Sequence, residues 1–248
     1  MSNDHIVSSF DTDLSRLDNM IAEMGGLAES QLARSVEALC KKDVEAAERI
    51  IPADKRIDAL EKEIYDFTVK LIALRQPMAA DLRIVISAIK ISSVIERIGD
   101  YAKNISKRTI VLKNGPSLLG PLKTVSRMGD LVQDMINHAL DAYIERDAEK
   151  AGDVRARDRD VDLLHTSLFR ELITYMMEDP RFITPCTHFL FVAKNIERIG
   201  DHTTSIAEQV HFMVHGKMPH DERLKGDHSS TTVVNPDDVE NDRESAQP

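Results

Sequence analysis

The chain has 248 residues, a formal net charge of −10, 30% charged residues, nine prolines and no tryptophan. That length holds one large core or two small ones, and the composition suits a helical protein better than a sheet sandwich. The acidic balance argues against nucleic acid, which needs a surplus of lysine and arginine, and favours cations or basic partners.

No run approaches the ~18 to 20 apolar residues of a membrane span, and no basic-then-apolar leader opens the chain. A cytoplasmic location is expected. Cys40 and Cys186 stand outside any CxxC or histidine-rich context and are expected to be reduced helix residues.

In chain order, apolar residues recur at threes and fours over six segments, the mark of amphipathic helices. The predicted helices are Thr12 to Lys42, Val44 to Leu74, Met78 to about Leu112, Leu122 to Arg146, Ala148 to Glu178 and Arg181 to His215. Asp43, Gln76-Pro77, Asn114-Gly115-Pro116, Asp147 and Asp179-Pro180 form short connections, so neighbours run antiparallel. The predicted fold is all-α: two three-helix bundles in tandem, spanning 10–113 and 121–215. After His215 eight acids face four bases with no apolar period; residues 217–248 read as a disordered acidic tail.

Pro52 is expected to kink the second helix, whereas its counterpart Ala156 imposes no break. Gly25, Gly26, Gly99, Gly129 and Gly200 fall inside predicted helices at ~1 kcal/mol each against alanine. Close helix packing is the default reason for them.

The two bundles are copies. Ile-Glu-Arg-Ile-Gly-Asp occurs at 95–100 and again at 196–201, an offset of 101. At an offset of 104, Met24-Gly25 meets Met128-Gly129, Asp43 meets Asp147, and Asp54 and Asp58 meet Asp158 and Asp162. Such internal repetition makes each copy one structural unit.

Each copy carries two acidic pairs at i, i+4: Asp54 with Asp58, Glu96 with Asp100, Asp158 with Asp162, and Glu197 with Asp201. That spacing sets both carboxylates on one helix face. Counting from Pro77, Asp58 and Glu96 lie 19 residues to either side, and Asp54 and Asp100 lie 23. Antiparallel helices of equal rise therefore bring the four acids to one level, and the second copy repeats the square around Pro180. With each residue advancing ~100°, Glu96 and Asp100 are expected opposite the Ile91, Ile95, Ile98 stripe, facing out of the core. An oxygen-only set suits magnesium, manganese, calcium or iron. The plain alternative is ordinary ion pairing, through Lys62 to Asp58, Arg97 to Asp100, and Lys194 and Arg198 to Glu197 and Asp201.

Over about residues 10 to 215, the duplicated three-helix plan with four E/D-x-x-x-D motifs resembles the PhoU family. The resemblance implies multinuclear metal clusters (Fe, Mn or Mg) held by Asp54, Asp58, Glu96, Asp100, Asp158, Asp162, Glu197 and Asp201. It further implies a non-enzymatic negative regulator of phosphate uptake and phosphate-starvation signalling. Its partners would be the ATPase of the phosphate ABC transporter and the phosphate sensor histidine kinase, with membrane contact only through them. A homodimer is the expected assembly. Glu61 corresponds to His165, and Asn104 to Ser205, so the two clusters are expected to differ. Two alternatives stand beside this: a metal-free helical scaffold, and a di-iron carboxylate oxidase, for which the chain offers Glu208-x-x-His211 and only a loose Asp162-x-x-His165.

Overall fold

A computed structural model describes residues 2–116, 118–219 and 226–233. Among the described residues there are seven α-helices and no strand: α1 (Ser2–Lys41), α2 (Val44–Ala53), α3 (Lys55–Arg75), α4 (Ala80–Leu112), α5 (Leu119–Glu145), α6 (Ala148–Glu178) and α7 (Ile183–His215). Taken together, α2 and α3 are one kinked helix, which gives the predicted two sets of three.

The kink has the predicted cause. Pro52 sits in the last turn of α2, and the helix resets at Asp54; α6, with Ala156 at the twin position, runs unbroken. The first helix begins at Ser2 rather than Thr12, because local helix geometry continues upstream of the buried stripe that opens at Leu17. Between α6 and α7, Pro180–Phe182 forms a 3-10 turn whose Arg181 N–H donates to the Asp179 carboxylate. Aspartates also start the second helix of each copy. Asp43 accepts from the Ala46 N–H, and Asp147 accepts from those of Glu149 and Lys150, satisfying donors that the first helical turn leaves open.

One apolar stripe of each helix is buried. In α1 it runs Leu17, Ile21, Met24, Ala28, Leu32, Leu39; in α4, Ala88, Ile91, Ile95, Ile98, Ala102, Ile105; in α5, Val125, Met128, Val132, Ile136, Ala139, Tyr143. These side chains join those of α6 and α7 in one continuous core. The two bundles are thus not separate globules. Among the described residues, no helix is long and apolar enough to cross a membrane. Both cysteines are free thiols, Cys186 buried and Cys40 half-buried.

The copies meet through exchanged pairs. A Cβ on Gly25 would lie 2.5 Å from Leu140, and one on Gly129 would lie 3.1 Å from Val36; under the offset of 104 these two contacts are the same contact. The twins Glu29 and Gln133 touch each other, Gln133 Nε2 donating to Glu29 Oε1 at 2.7 Å. The twins Tyr101 and His202 stack with ring centroids 5.5 Å apart. An approximate two-fold axis therefore passes between α1 and α5 and between α4 and α7.

Neighbouring glycines in α1 separate packing from propensity. Nothing lies within 4 Å of a Cβ at Gly26, so Gly26→Ala should stabilise the fold by ~1 kcal/mol through helix propensity alone. Gly25→Ala should fall below wild type, since Leu140 must be displaced and overpacking costs ~1 to 3 kcal/mol. Denaturant midpoints of the two variants moving in the same direction would contradict this division.

Candidate functional site

The hairpins bring both acidic squares together, but not as open surface sites. In the first, Glu96 and Asp100 on α4 are half-buried, Asp58 on α3 is exposed, and Asp54 at the α2–α3 break is 1% exposed. Asp54 lies over Gly99: a Cβ there would be 3.0 Å from Asp54 Oδ1 and 2.9 Å from Ile57 Cδ1. The glycine of the repeated hexapeptide is thus the seat on which the facing aspartate rests. Gln31 of α1 holds that aspartate from behind, its Nε2 donating to Asp54 Oδ1 at 2.8 Å and to the Gly99 carbonyl at 2.9 Å.

The cation of the first square is Lys103, whose ammonium bridges Asp54 and Asp100. Arg97 does not take that place. With Glu96 as origin, a ~100° step puts Asp100 at about 40°, Lys103 at about −20° and Arg97 at about 100°. Lys103 therefore points to the side where α3 lies. The same wheel puts Gly99 at about −60°, between the acids and the buried isoleucines. On α4 the acids stand on the far side from the isoleucines and are half-buried; what departs from an open outward site is Asp54, which is buried where it lies over Gly99.

Burial first and charge crowding second push two carboxyls of the square upward. Burial, then the neighbouring Asp54, raises the Asp58 carboxyl; burial, then Asp100 and Glu61, raises Glu96. Burial lowers Lys103, but hydrogen bonds to Asp100 and Asp54 outweigh it and the net shift is upward. Glu61, noted in the sequence as unlike its twin, adds a fifth carboxylate within electrostatic reach.

The second square is closed further. Asp158 and Asp162 are each 1% exposed and Glu197 is 4% exposed. Asp158 repeats the seat, its Oδ1 lying 2.9 Å from a Cβ built on Gly200. Lys194 donates to Glu197 Oε1 at 2.9 Å and Arg198 stands 3.6 Å from Asp201, as the plain alternative anticipated. Burial raises the Glu197 carboxyl, and Lys194 opposes that only in part. His165 is buried beside this group.

The cover comes from the C-terminal segment. Of the stretch read as a disordered tail, 220–225 and 234–248 lie outside the described residues. Residues 226–233 instead form a turn against α6 and α7. The Gly226 N–H donates to Asp162 Oδ2 at 2.8 Å, and Asp227 lies 3.3 Å from His165 Nδ1 and 3.1 Å from Lys194 Nζ. Burial raises the Asp227 carboxyl, but hydrogen bonds from Ser229 and Lys194 reverse this and hold it well below the usual range.

Lys103 was missed in favour of Arg97, although its i+3 spacing from Asp100 was legible. Gln31 and Asp227 were not legible, since each reaches its square from an element distant in sequence. Of the di-iron candidates, Glu208 lies 3.7 Å from Arg155, and His211 sits against the Lys217 carbonyl and the His215 ring. Only Asp162 and His165 of those candidates are placed at a square.

Among the described residues, no three His, Cys, Asp or Glu side chains stand close enough to hold a metal ion as they are arranged. In the first square Lys103 occupies the space between carboxylates. The donor chemistry nevertheless fits a hard cation. Each square is rich in carboxylate oxygens, and among the described residues the buried Glu197 Oε2 has no hydrogen-bond donor, with the Arg198 guanidinium 3.9 Å away.

The duplicated helical plan has counterparts in known proteins. The family pattern of the PhoU domain matches residues 21–109 and again 125–210. A curated relative from Rhizobium meliloti (strain 1021), named a phosphate-specific transport system accessory protein PhoU homolog, is 47% identical over 231 residues, covering 93% of this chain and 98% of its own. One of the same name from Zymomonas mobilis is 49% identical, covering 90% and 93%. The crystal structure of PhoU from Pseudomonas aeruginosa superposes with a TM-score of 0.81 at 38% identity, over 84% of this chain and 100% of that one. The phosphate transport system regulatory protein PhoU from Streptococcus pneumoniae gives 0.79 at 30% identity, over 85% and 99%. With two domain matches inside one duplicated helical fold, the chain belongs to the PhoU family.

Proposed function

We propose that the protein is a non-enzymatic cytoplasmic regulator of phosphate uptake that lowers transport and phosphate-starvation signalling when phosphate is plentiful. The observation that carries this is its likeness, at 45 to 49% identity over nine-tenths or more of the chain, to accessory proteins of the phosphate-specific transport system. The partners of this reading are the ATPase subunit of the phosphate transporter and the phosphate sensor histidine kinase, with a homodimer as the acting form. Deletion should raise expression of phosphate-starvation genes in phosphate-rich medium. Unchanged repression there would sink the regulatory reading.

The two squares are the proposed metal sites. Asp54, Asp58, Glu96 and Asp100 would hold cations in the first, and Asp158, Asp162, Glu197 and Asp201 in the second; iron, manganese or magnesium would supply neutralisation of clustered negative charge. In this reading the chain's own part is positional: Gly99 and Gly200 let Asp54 and Asp158 approach, and Gln31 aims Asp54. Metal content of protein purified without added metal should fall to background in a variant lacking the exposed or half-buried acids Asp58, Glu96 and Asp201. Equal content in the two preparations would remove the metal assignment without touching the regulatory one.

A further inference from the structure

The second square differs from the first in having a piece of its own chain seated on it. Gly226 is buried, and a Cβ there would stand 3.2 Å from both the Arg159 carbonyl oxygen and Asp162 Cβ. Only a residue without a side chain brings its N–H this near to Asp162 without forcing the neighbours apart. One residue on, Asp227 reaches His165 and Lys194, and the His228 N–H donates to Thr166 Oγ1 at 3.1 Å. The turn is braced internally, the Ser229 N–H donating to Asp227 Oδ1 at 2.8 Å and Thr232 Oγ1 to the His228 carbonyl at 2.8 Å.

These partners belong to the second copy alone. The twins of His165, Thr166 and Lys194 are Glu61, Lys62 and Ser93. At the first square, Asp227 would meet the Glu61 carboxylate instead of an imidazole and would find serine in place of the lysine. Like charges repel where the first copy would have to receive the segment, so the complementarity is specific. The difference in exposure follows: Asp58 is open to solvent while its twin Asp162 is 1% exposed.

We propose that residues 226–233 are a closing segment for the second carboxylate square, and that the segment and an external divalent cation occupy that square in alternation. The segment's amide takes up an Asp162 oxygen that a cation would need, and its backbone covers the approach. A cation at the second square therefore requires release of the segment, whereas at the first it meets only the Lys103 side chain that bridges Asp54 and Asp100. The alternation rests on the metal reading above; the docking of the segment does not.

Two measurements on the full-length chain separate these parts. Amide hydrogen exchange at 226–229 should be at least tenfold slower in the wild type than in Asp227→Ala, and exchange at the rate of a free peptide in both would overturn the docking. Manganese binding, read from the free Mn2+ resonance signal, is then compared with and without Asp227→Ala in a background carrying Asp58→Ala and Glu96→Ala, which leaves the second square to report. Asp227→Ala should tighten manganese binding about tenfold, and saturating manganese should release the 226–229 amides in the parent background. Equal or weaker binding in Asp227→Ala would overturn the alternation. Absence of manganese binding in every variant would overturn it together with the metal reading, while the exchange result would still decide the docking.

Discussion

Gly200→Ala is expected to destabilise the protein by ~1 to 3 kcal/mol through overpacking, although alanine is the better helix former. The new Cβ would stand 2.9 Å from Asp158 Oδ1, while Val132 and Val161 remain at ordinary contact distances of 3.7 and 3.8 Å. The carboxylate is the one group that must move, and it is buried. Removing it should remove the penalty. In a double-mutant cycle, Gly200→Ala should cost far less in an Asp158→Ala background, with a coupling of about 1 kcal/mol or more between contacting residues. Gly99→Ala should behave similarly, with Ile57 sharing the clash. Each kcal/mol lowers the melting temperature by ~2 to 4 °C in a chain of this size. Additive costs in the Gly200 and Asp158 cycle would show that the glycine serves backbone packing and not the carboxylate.

Lys103→Met has a different expected signature. The lysine is the ion-pair partner of Asp54, whose side chain is 2% exposed, and removing one member of a buried pair costs ~3 to 5 kcal/mol. Here Gln31 still donates to Asp54, and the Lys103 side chain is itself 21% exposed, so a loss of about 2 kcal/mol is expected after discounting for solvent. The lost cation is also the group that stands where the metal reading places an ion. Manganese or magnesium should therefore restore stability to Lys103→Met more than it stabilises wild type, by ~2.7 kcal/mol at a hundredfold excess over the dissociation constant. Thermal unfolding with and without the cation checks this. A variant that loses stability and ignores divalent cations would mark Lys103 as a structural counter-ion to a purely structural acidic pair.

Most of the helical plan was legible because amphipathic periodicity, proline and the short connections at Asp43 and Asp147 act over a few residues. Pro52 and Ala156 told the kinked helix from the straight one, and Pro77 and Pro180 set the level of each square. What escaped was the sideways geometry. A helical wheel centred on Ile95 separates acids from isoleucines but does not say where the neighbouring helix lies, so the outward direction expected of Glu96 and Asp100 gave no sign that Asp54 and Asp162 are buried. The hexapeptide glycine was visible as a cost to the helix; its partner on the facing helix was not. Gln31 lies 68 residues from Gly99, and the Gly226-Asp227 contact belongs to a stretch with no apolar period at all. Contacts made by single polar residues over such separations leave no pattern in the sequence.

The touching twins Glu29 and Gln133 carry a consequence for how such a chain diversifies. In an isologous assembly of two identical halves, a residue on the rotation axis faces its own copy, so two glutamates would meet and repel. Covalent fusion lifts that restriction. Glu29 now accepts a hydrogen bond from an amide, and Tyr101 stacks on His202 where a single-gene dimer would have to place tyrosine on tyrosine or histidine on histidine. Once self-pairing is abolished on the axis, the halves are free to drift apart away from it, and one carboxylate square acquires a histidine and a lid while its sibling keeps a lysine and stays uncovered.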